Sequence, residues 1–311
     1  MKQYGFGVDI GGTTCKIGLF TMNGIIKEKW EIKTNTENYG AEILDTVAAS
    51  VLEKMKKKGM TEDEVQGIGL GVPGPVGSDG TVFGCVNLGW NVLNVERELA
   101  SKTGLKVKAG NDANVAALGE MWQGGGKGHA NVVMVTLGTG VGGGIIVDGK
   151  IVSGFHGAGG EIGHIKMKDD EVSPCGCGGY GCLEQYASAT GIVRMAKKKL
   201  ESETRKTVLS TFDNISAKNI FNVAKKGDIV AGELVDTLCE MLGKALANIA
   251  AILDPEIFVI GGGISKAGNI LIDGIKKHYM ARAFHSCTKT EIVPAVLGND
   301  AGMYGCIPLL F

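Results

Sequence analysis

The chain has 311 residues, with 32 Lys and Arg against 33 Asp and Glu, for a net charge of -1. Apolar types make up 44% and charged types 21%, so a sizeable core is expected, disorder is not, and bulk electrostatics argue against a protein that coats nucleic acid. Glycine is the outlier at 50 residues, about 16% against a usual ~7%, and its clustering points to tight turns and loops that approach ligands closely.

The chain opens MKQYGFGVD, where a charge precedes any long apolar run, so no secretory leader is expected. No stretch approaches the ~20 apolar residues of a membrane span. Residues 5–20, GFGVDIGGTTCKIGLF, read as strand, glycine turn and strand, and Asn23-Gly24 is a hairpin signal before Ile25-Ile26. Over residues 41–58, Ile43, Leu44, Val47, Val51, Leu52 and Met55 recur at helical spacing and lysines close the end. Residues 65–72 form a glycine-diluted strand ending at Pro73-Gly74-Pro75. A short strand over 106–109 ends at Asn111-Asp112, and 113–122 is helical.

The pattern then returns. Residues 132–150, VVMVTLGTGVGGGIIVDGK, are again strand, glycine turn and strand, with Asp148-Gly149 as hairpin signal before Ile151-Val152. The copies lie about 127 residues apart, which suggests a duplication and two similar domains facing one another. A helix over 229–253, a strand over 257–260 opening onto Gly261-Gly262-Gly263, and a helix over about 266–279 continue the second copy. Strands and helices alternate throughout, so the class is α/β.

Turns with little side chain expose successive backbone N–H groups, a concavity that binds phosphate. Gly11-Gly12-Thr13-Thr14 adds hydroxyl donors, and Asp9 at the strand end can hold a hydrated Mg2+. Gly138-Thr139-Gly140, with the glycines at 142–144, offers a second cradle. The G-x-G-x-x-G within it is not a dinucleotide fingerprint, because a strand follows rather than a helix. Two hairpins without a ligand is the plainer reading; the matched pair together with Asp9 favours a nucleotide.

Asn111-Asp112-Ala113-Asn114 lies between a strand and a helix. Asp112 is either an N-cap or a general base at the carboxyl end of a strand, where ligands of α/β proteins gather. Phosphoryl transfer to an alcohol needs such a proton acceptor. The near-copy Gly298-Asn299-Asp300-Ala301 shows that the pattern also serves structural needs.

His164, Cys175, Cys177 and Cys182 place three thiolates and an imidazole within 19 residues, the donor set of a closed, structural Zn2+ site. The other cysteines, Cys15, Cys85, Cys239, Cys287 and Cys306, are scattered in apolar or glycine-rich surroundings. That suits buried free thiols in a cytoplasmic chain better than a secreted disulfide scaffold. Glu161 and Glu184 flank the cysteine loop. Paired carboxylates beside an imidazole suit the adjacent hydroxyls of a polyol; otherwise Glu184 only favours a helix N-terminus and Glu161 is a solvated loop acid.

Taken in order, D-I-G-G-T-T at 9–14, G-V-P-G-P at 71–75, N-D-A-N at 111–114, L-G-T-G-V-G-G-G at 137–144, E-I-G-H at 161–164 and C-G-C-G-G-Y-G-C-L-E at 175–184 resemble the ROK family of sugar kinases and repressors. Within it the chain looks most like the bacterial glucokinases, partly through Asn87-Leu88-Gly89-Trp90. The resemblance implies an actin-like, hexokinase-type (ribonuclease H-like) fold with a cleft between two domains. These would be a smaller α/β domain over 1–115, completed by a C-terminal helix at 298–311, and a larger one over 116–297 with the zinc loop. It implies ATP-dependent phosphorylation of glucose at the 6-position, with Mg2+ and a structural Zn2+. Asp112 is then the catalytic base, and Asn111, Asp112, Glu161, His164 and Glu184 meet the sugar. His164 also binds zinc through its other nitrogen, with Cys175, Cys177 and Cys182. Asp9, Gly11, Gly12, Thr13, Gly138, Thr139 and Gly140 meet the phosphates and metal, and Gly261, Gly262 and Gly263 the adenosine. Cys15 stands before Lys16 where the family often has Thr-Lys or Ser-Lys, so Lys16 is given no catalytic role.

The partners implied are a hexose and ATP, no nucleic acid and no membrane, in a cytoplasmic homodimer. Alternatives are a kinase for fructose, N-acetylmannosamine or allose, and a non-catalytic sugar-sensing ROK protein. A ROK repressor carries a helix-turn-helix ahead of the first glycine motif, and only eight residues precede Asp9 here. An actin-like or chaperone-type ATPase would leave the zinc loop without a purpose.

Overall fold

The computed structural model describes residues 2–311. Two five-stranded sheets share one plan, as the repeated hairpin and glycine turn require. In the first, β1 (Tyr4–Ile10), β2 (Thr14–Thr21) and β3 (Ile26–Lys33) form an antiparallel meander. A single turn, α1 (Glu37–Gly40), and the helix α2 (Ile43–Lys58) lead to β4 (Val65–Val72), parallel to β1 on its other side. The hairpin of β5 (Thr81–Cys85) and β6 (Trp90–Asn94) and the helix α3 (Val95–Thr103) precede β7 (Val107–Asn111), parallel to β4. The order is β3-β2-β1-β4-β7, and α4 (Asp112–Gln123) follows.

The second sheet uses β8 (Val132–Leu137), β9 (Val141–Val147) and β10 (Lys150–Ile151). Four helices come next: α5 (Glu184–Ala187), α6 (Ala189–Leu200), α7 (Ala217–Ala224) and α8 (Ile229–Leu253). Then β11 (Ile257–Gly261), α9 (Asn269–Met280), β12 (Glu291–Pro294) and α10 (Ala301–Cys306) complete the chain. The order is β10-β9-β8-β11-β12, with β11 parallel to both β8 and β12. The class is α/β, as the alternation predicts. The chain divides into two compact units. One holds the residues up to Gly128 with Gly144–Gly159 and Leu297–Phe311; the other holds His129–Gly143 with Gly160–Val296.

Central strands are covered on both faces and therefore read as continuous apolar runs. Phe6, Val8 and Ile10 of β1 and Ile68, Leu70 and Val72 of β4 are all buried. At the edge, β3 alternates: Trp30 and Ile32 pack on the core while Lys27, Lys29, Glu31 and Lys33 face out, charges that discourage pairing with another chain. In the first unit α10 lies so close to α4 that a Cβ on Gly305 would collide with the Val115 carbonyl. Glu120, fully buried in α4, accepts from Gly125 N and from Leu297 N, both at 2.8 Å.

The helix expected over about 266–279 begins later, at Asn269. Gly268 has φ +73°, and residues 263–267 form a 3-10 segment that this glycine ends. The Asp148-Gly149 turn has positive φ at both residues, 50° and 73°, the conformation that a two-residue hairpin with the natural strand twist demands. At Asn23-Gly24 only the glycine is left-handed. All eight cysteines are free thiols, and the five outside the cysteine loop are buried. Among the described residues no helix is long and apolar enough to cross a membrane.

Candidate active site

In the first unit, β1 delivers Asp9 to the mouth of the Gly11–Thr14 turn. Gly11 N donates to Thr14 O at 3.0 Å, closing the turn, and Thr34 braces it through Oγ1 to Gly11 O at 2.7 Å and N to Thr13 O at 2.9 Å. Gly12 and Thr13 are exposed. Asp9 is pushed up to about 6, first by burial and then by the charge of Asp112, with Lys16 offsetting part of the effect. The two carboxylates therefore share one corner of the unit, a natural seat for a cation or for charge that develops during a reaction.

Asp112 arrives there because β7 ends and α4 begins at this point. The cap belongs to its neighbour: Asn111 is the residue with extended backbone, and its Oδ1 accepts from Ala113 N at 3.1 Å and Asn114 N at 3.2 Å. Asn111 Nδ2 donates to Gly74 O at 3.1 Å, tying the N-D-A-N and G-V-P-G-P segments together. The N-cap reading of Asp112 is thus corrected. Asp112 is the first helical residue, and its Oδ1 accepts from its neighbour Ala113 N at 2.8 Å.

In the second unit the sulfur and imidazole donors converge. The ligating atoms of His164, Cys175, Cys177 and Cys182 all lie within 4.8 Å of one another. Cys175 Sγ is 3.8 Å from His164 Nδ1, and Cys177 Sγ is 3.7 Å from Cys182 Sγ. Tetrahedral coordination with Zn–S bonds of about 2.3 Å puts sulfurs about 3.8 Å apart, so the residues fit a closed zinc site. Gly179 N also donates to Cys177 Sγ at 3.4 Å. Gly181 is needed here: its φ is +72° and a Cβ would strike the Lys168 carbonyl. With Nδ1 turned to the sulfurs, His164 Nε2 faces Glu161 Oε2 at 4.0 Å.

Glu184 opens α5 two residues after the last cysteine. Its Oε2 accepts from Val141 N at 3.0 Å, its Oε1 lies 3.8 Å from Cys175 Sγ, and a Cβ on Gly140 would run into its carboxylate. The residue thus stands between the cysteine cluster and the second glycine turn. That turn borders a cavity of about 620 Å3. Gly138 and Thr139 line it with Gly263, joined by Ala189, Ser216, Phe221 and Asn222, and by Lys218, Lys225 and Lys266. Gly261 is instead buried within β11, and Gly262 (φ +83°) sits where a Cβ would meet the Leu137 backbone, so both shape the wall from behind. Residues of α7 were not anticipated from the sequence. Ser216 and Asn219 form a capping box, and that S-x-x-N start was the signal available.

The expected site residues therefore fall into two groups, each within one unit. Asp9, Gly11, Gly12, Thr13, Asn111 and Asp112 belong to the first; Gly138 to Gly140, Glu161, His164, Glu184 and the three cysteines belong to the second. The description "ROK family" matches residues 5–310 of the chain. A glucokinase of Halalkalibacterium halodurans is 43% identical over 304 residues, covering 96% of this chain and 92% of that protein. A glucokinase of Thermotoga maritima is 36% identical over 310 residues, covering 98% and 96%. A ROK family glucokinase from Streptomyces griseus, solved in complex with glucose and AMPPNP, superposes with a TM-score of 0.75 at 34% identity, with 97% of each chain covered. Motifs, strand order and a match over almost the whole length agree: the chain belongs to the ROK family.

Proposed function

We propose that the chain is a glucose kinase, moving the γ-phosphoryl group of Mg·ATP to the 6-hydroxyl of glucose. The observation that carries this reading is Asp112, at the junction of β7 and α4 beside half-buried Asp9, with the helix cap supplied by Asn111 instead. Likeness over the full length to glucokinases supports glucose as the hexose, and the relative solved with AMPPNP supports ATP as donor.

Asp112 accepts the proton of the 6-hydroxyl. The O6–Pγ bond forms as the bond from Pγ to the bridging oxygen breaks, and ADP leaves with that electron pair. General-base help of this kind is worth ~10²–10⁴-fold. Asn111, Glu161, His164 and Glu184 hold the remaining hydroxyls. Gly11, Gly12 and Thr13, with Gly138, Thr139 and Gly140, offer N–H groups to the phosphates, and the cavity lined by Gly263 and α7 takes the adenosine. Asp9 would hold hydrated Mg2+, which would neutralise phosphate charge. Zn2+ in the cysteine cluster would take His164 Nδ1 and so leave the Nε2 proton for a sugar hydroxyl. The buried free thiols support a reducing, cytoplasmic location, where the reaction would open sugar breakdown by glycolysis. The homodimer rests on family likeness alone.

The test is coupled ADP release with Mg·ATP against glucose, fructose, N-acetylmannosamine, allose and glucosamine, beside a control without sugar. Turnover with glucose above the others is expected. Preference for another hexose would keep the mechanism and replace the substrate. Absence of sugar-dependent turnover in folded, zinc-replete protein would overturn the enzyme reading in favour of a sugar-binding sensor.

A further inference from the structure

The segment from Glu184 to Thr190 touches the cysteine loop on one side and the second glycine turn on the other. Toward the loop, Leu183 N donates to Ile165 O at 2.9 Å and Cys182 N to Gln185 Oε1 at 3.1 Å. Gln185 Nε2 returns to Ser173 O at 2.9 Å. Tyr186 OH and Arg194 Nη2 both reach Glu171 Oε2, at 2.7 and 2.8 Å. Arg194 beside Glu171 holds that carboxyl well below the usual range, so the link stays charged at neutral pH.

Toward the turn, three hydrogen bonds and one steric contact fix four consecutive residues. Ala189 N donates to Gly138 O at 2.8 Å, Thr190 Oγ1 to Thr139 O at 2.5 Å, and Val141 N to Glu184 Oε2 at 3.0 Å. Gly140 lies against the Glu184 carboxylate, leaving no room for a side chain. Ser188, fully buried, caps α6 through Gly191 N at 2.9 Å and pairs with the Thr190 hydroxyl at 3.0 Å, which fixes where Thr190 can reach.

Peptide planarity makes this consequential. In a trans peptide the C=O of one residue and the N–H of the next point in opposite directions. Drawing the carbonyls of Gly138 and Thr139 toward the segment therefore turns the N–H groups of Thr139 and Gly140 away from it. Those are the donors that a phosphate would use, and Gly138 and Thr139 border the cavity.

We infer that Thr190 and Glu184 are positioning residues for the nucleotide: they set the second glycine turn, the cysteine–histidine cluster sets them, and the metal loop thereby governs nucleotide affinity as well as any part it plays at the sugar. The inference rests on the phosphotransfer reading only in taking this turn as a nucleotide site.

The experiment is calorimetric binding of Mg·ADP, without sugar, to the full-length protein. Thr190→Val removes the hydroxyl that holds Thr139 O. It is expected to weaken Mg·ADP by about fivefold to tenfold, the worth of one hydrogen bond, while zinc content and melting temperature stay near wild type. Thr190→Ser restores the hydroxyl and is expected to recover the affinity. Removing zinc with a chelator is expected to weaken Mg·ADP further. Should the stripped chain unfold, the Val and Ser variants alone carry the test. Wild-type affinity in Thr190→Val would overturn the inference and leave the phosphotransfer reading intact. Failure of the wild type to bind Mg·ADP at all would overturn both.

Discussion

The two glycine turns are copies of one backbone that have been given different chemistry. Each follows the first strand of its sheet, and each has a parallel strand alongside with a glycine at the same register: Gly71 beside Asp9, Gly261 beside Thr136. The first turn is closed by Gly11 N to Thr14 O and braced by Thr34 just after β3, and its strand carries a half-buried carboxylate pushed up to about 6. The second has neutral Thr136 where the first has Asp9, and it is shaped from outside by α5 and the start of α6. One plan thus carries a charged residue beside its first turn and ties its second turn to the cysteine loop.

The largest expected effect concerns the charged copy. Asp112→Asn should lower kcat by ~10²–10⁴-fold while hexose affinity changes little. The helix start should survive, because Asn111 makes the cap. A variant that retains most of its turnover in steady-state assays would remove Asp112 from the role of base.

Next is Asp9. Its folded value of about 6 lies above its ordinary 3.8, so the protonated form favours folding. Below 3.8 the group is protonated in both states and costs nothing; the cost builds as pH rises and is complete above about 6. Asp9→Asn should therefore make the ligand-free protein more stable than wild type at pH 7, by up to roughly 3 kcal/mol, with the gap closing below pH 4. Urea unfolding at several pH values reads this directly. A gap independent of pH would mean that packing, not charge, separates the variants. Thr136 in the second copy offers no such dependence.

Smaller and opposite in kind is the pair Gly12→Ala and Gly140→Ala. A Cβ on Gly12 finds its nearest neighbours in Asn87 at 3.8 and 4.0 Å, ordinary contact, whereas one on Gly140 meets the Glu184 carboxylate. The first should leave the melting temperature nearly unchanged. The second should cost about 1–3 kcal/mol, as overpacking does, and loosen Mg·ADP with it. Equal melting temperatures would dissolve the distinction between a turn with space beside Gly12 and one packed against Glu184.

Much of this contrast was legible in the sequence, since repetition and unusual residues survive without three-dimensional information. The two hairpin copies, α8 (Ile229–Leu253) and the His164, Cys175, Cys177 and Cys182 set all leave strong local patterns. What escaped was relational. That Asn111 rather than Asp112 caps α4 depends on which of two adjacent polar residues has extended backbone. That Glu184 reaches Val141 N depends on α5 lying against a turn 43 residues earlier. The helix α7, with its share of the cavity wall, is only eight residues long, too short for a periodic signal to stand out. The break before α9 turns on one positive φ at Gly268, which a helical apolar pattern hides.

The smallest expected effect tests the comparison at its other repeat. Asn299-Asp300-Ala301 matches Asn111-Asp112-Ala113 in residue type, but Asp112 is the first residue of α4 whereas Asp300 stands just before α10. The surroundings differ. Asp300 Oδ2 pairs with Lys29 Nζ at 2.6 Å, with the two side chains 32% and 56% exposed, and Asn299 O accepts from Lys16 Nζ at 3.0 Å. A partly exposed pair of this kind contributes about 0–1 kcal/mol. Asp300→Asn should therefore shift stability by no more than that and leave kcat within about twofold, where the same substitution at Asp112 removes most of it. A large loss of turnover in Asp300→Asn, with stability unchanged, would mean that the second Asn-Asp pair does chemistry too, and that the division of labour between the copies is drawn in the wrong place.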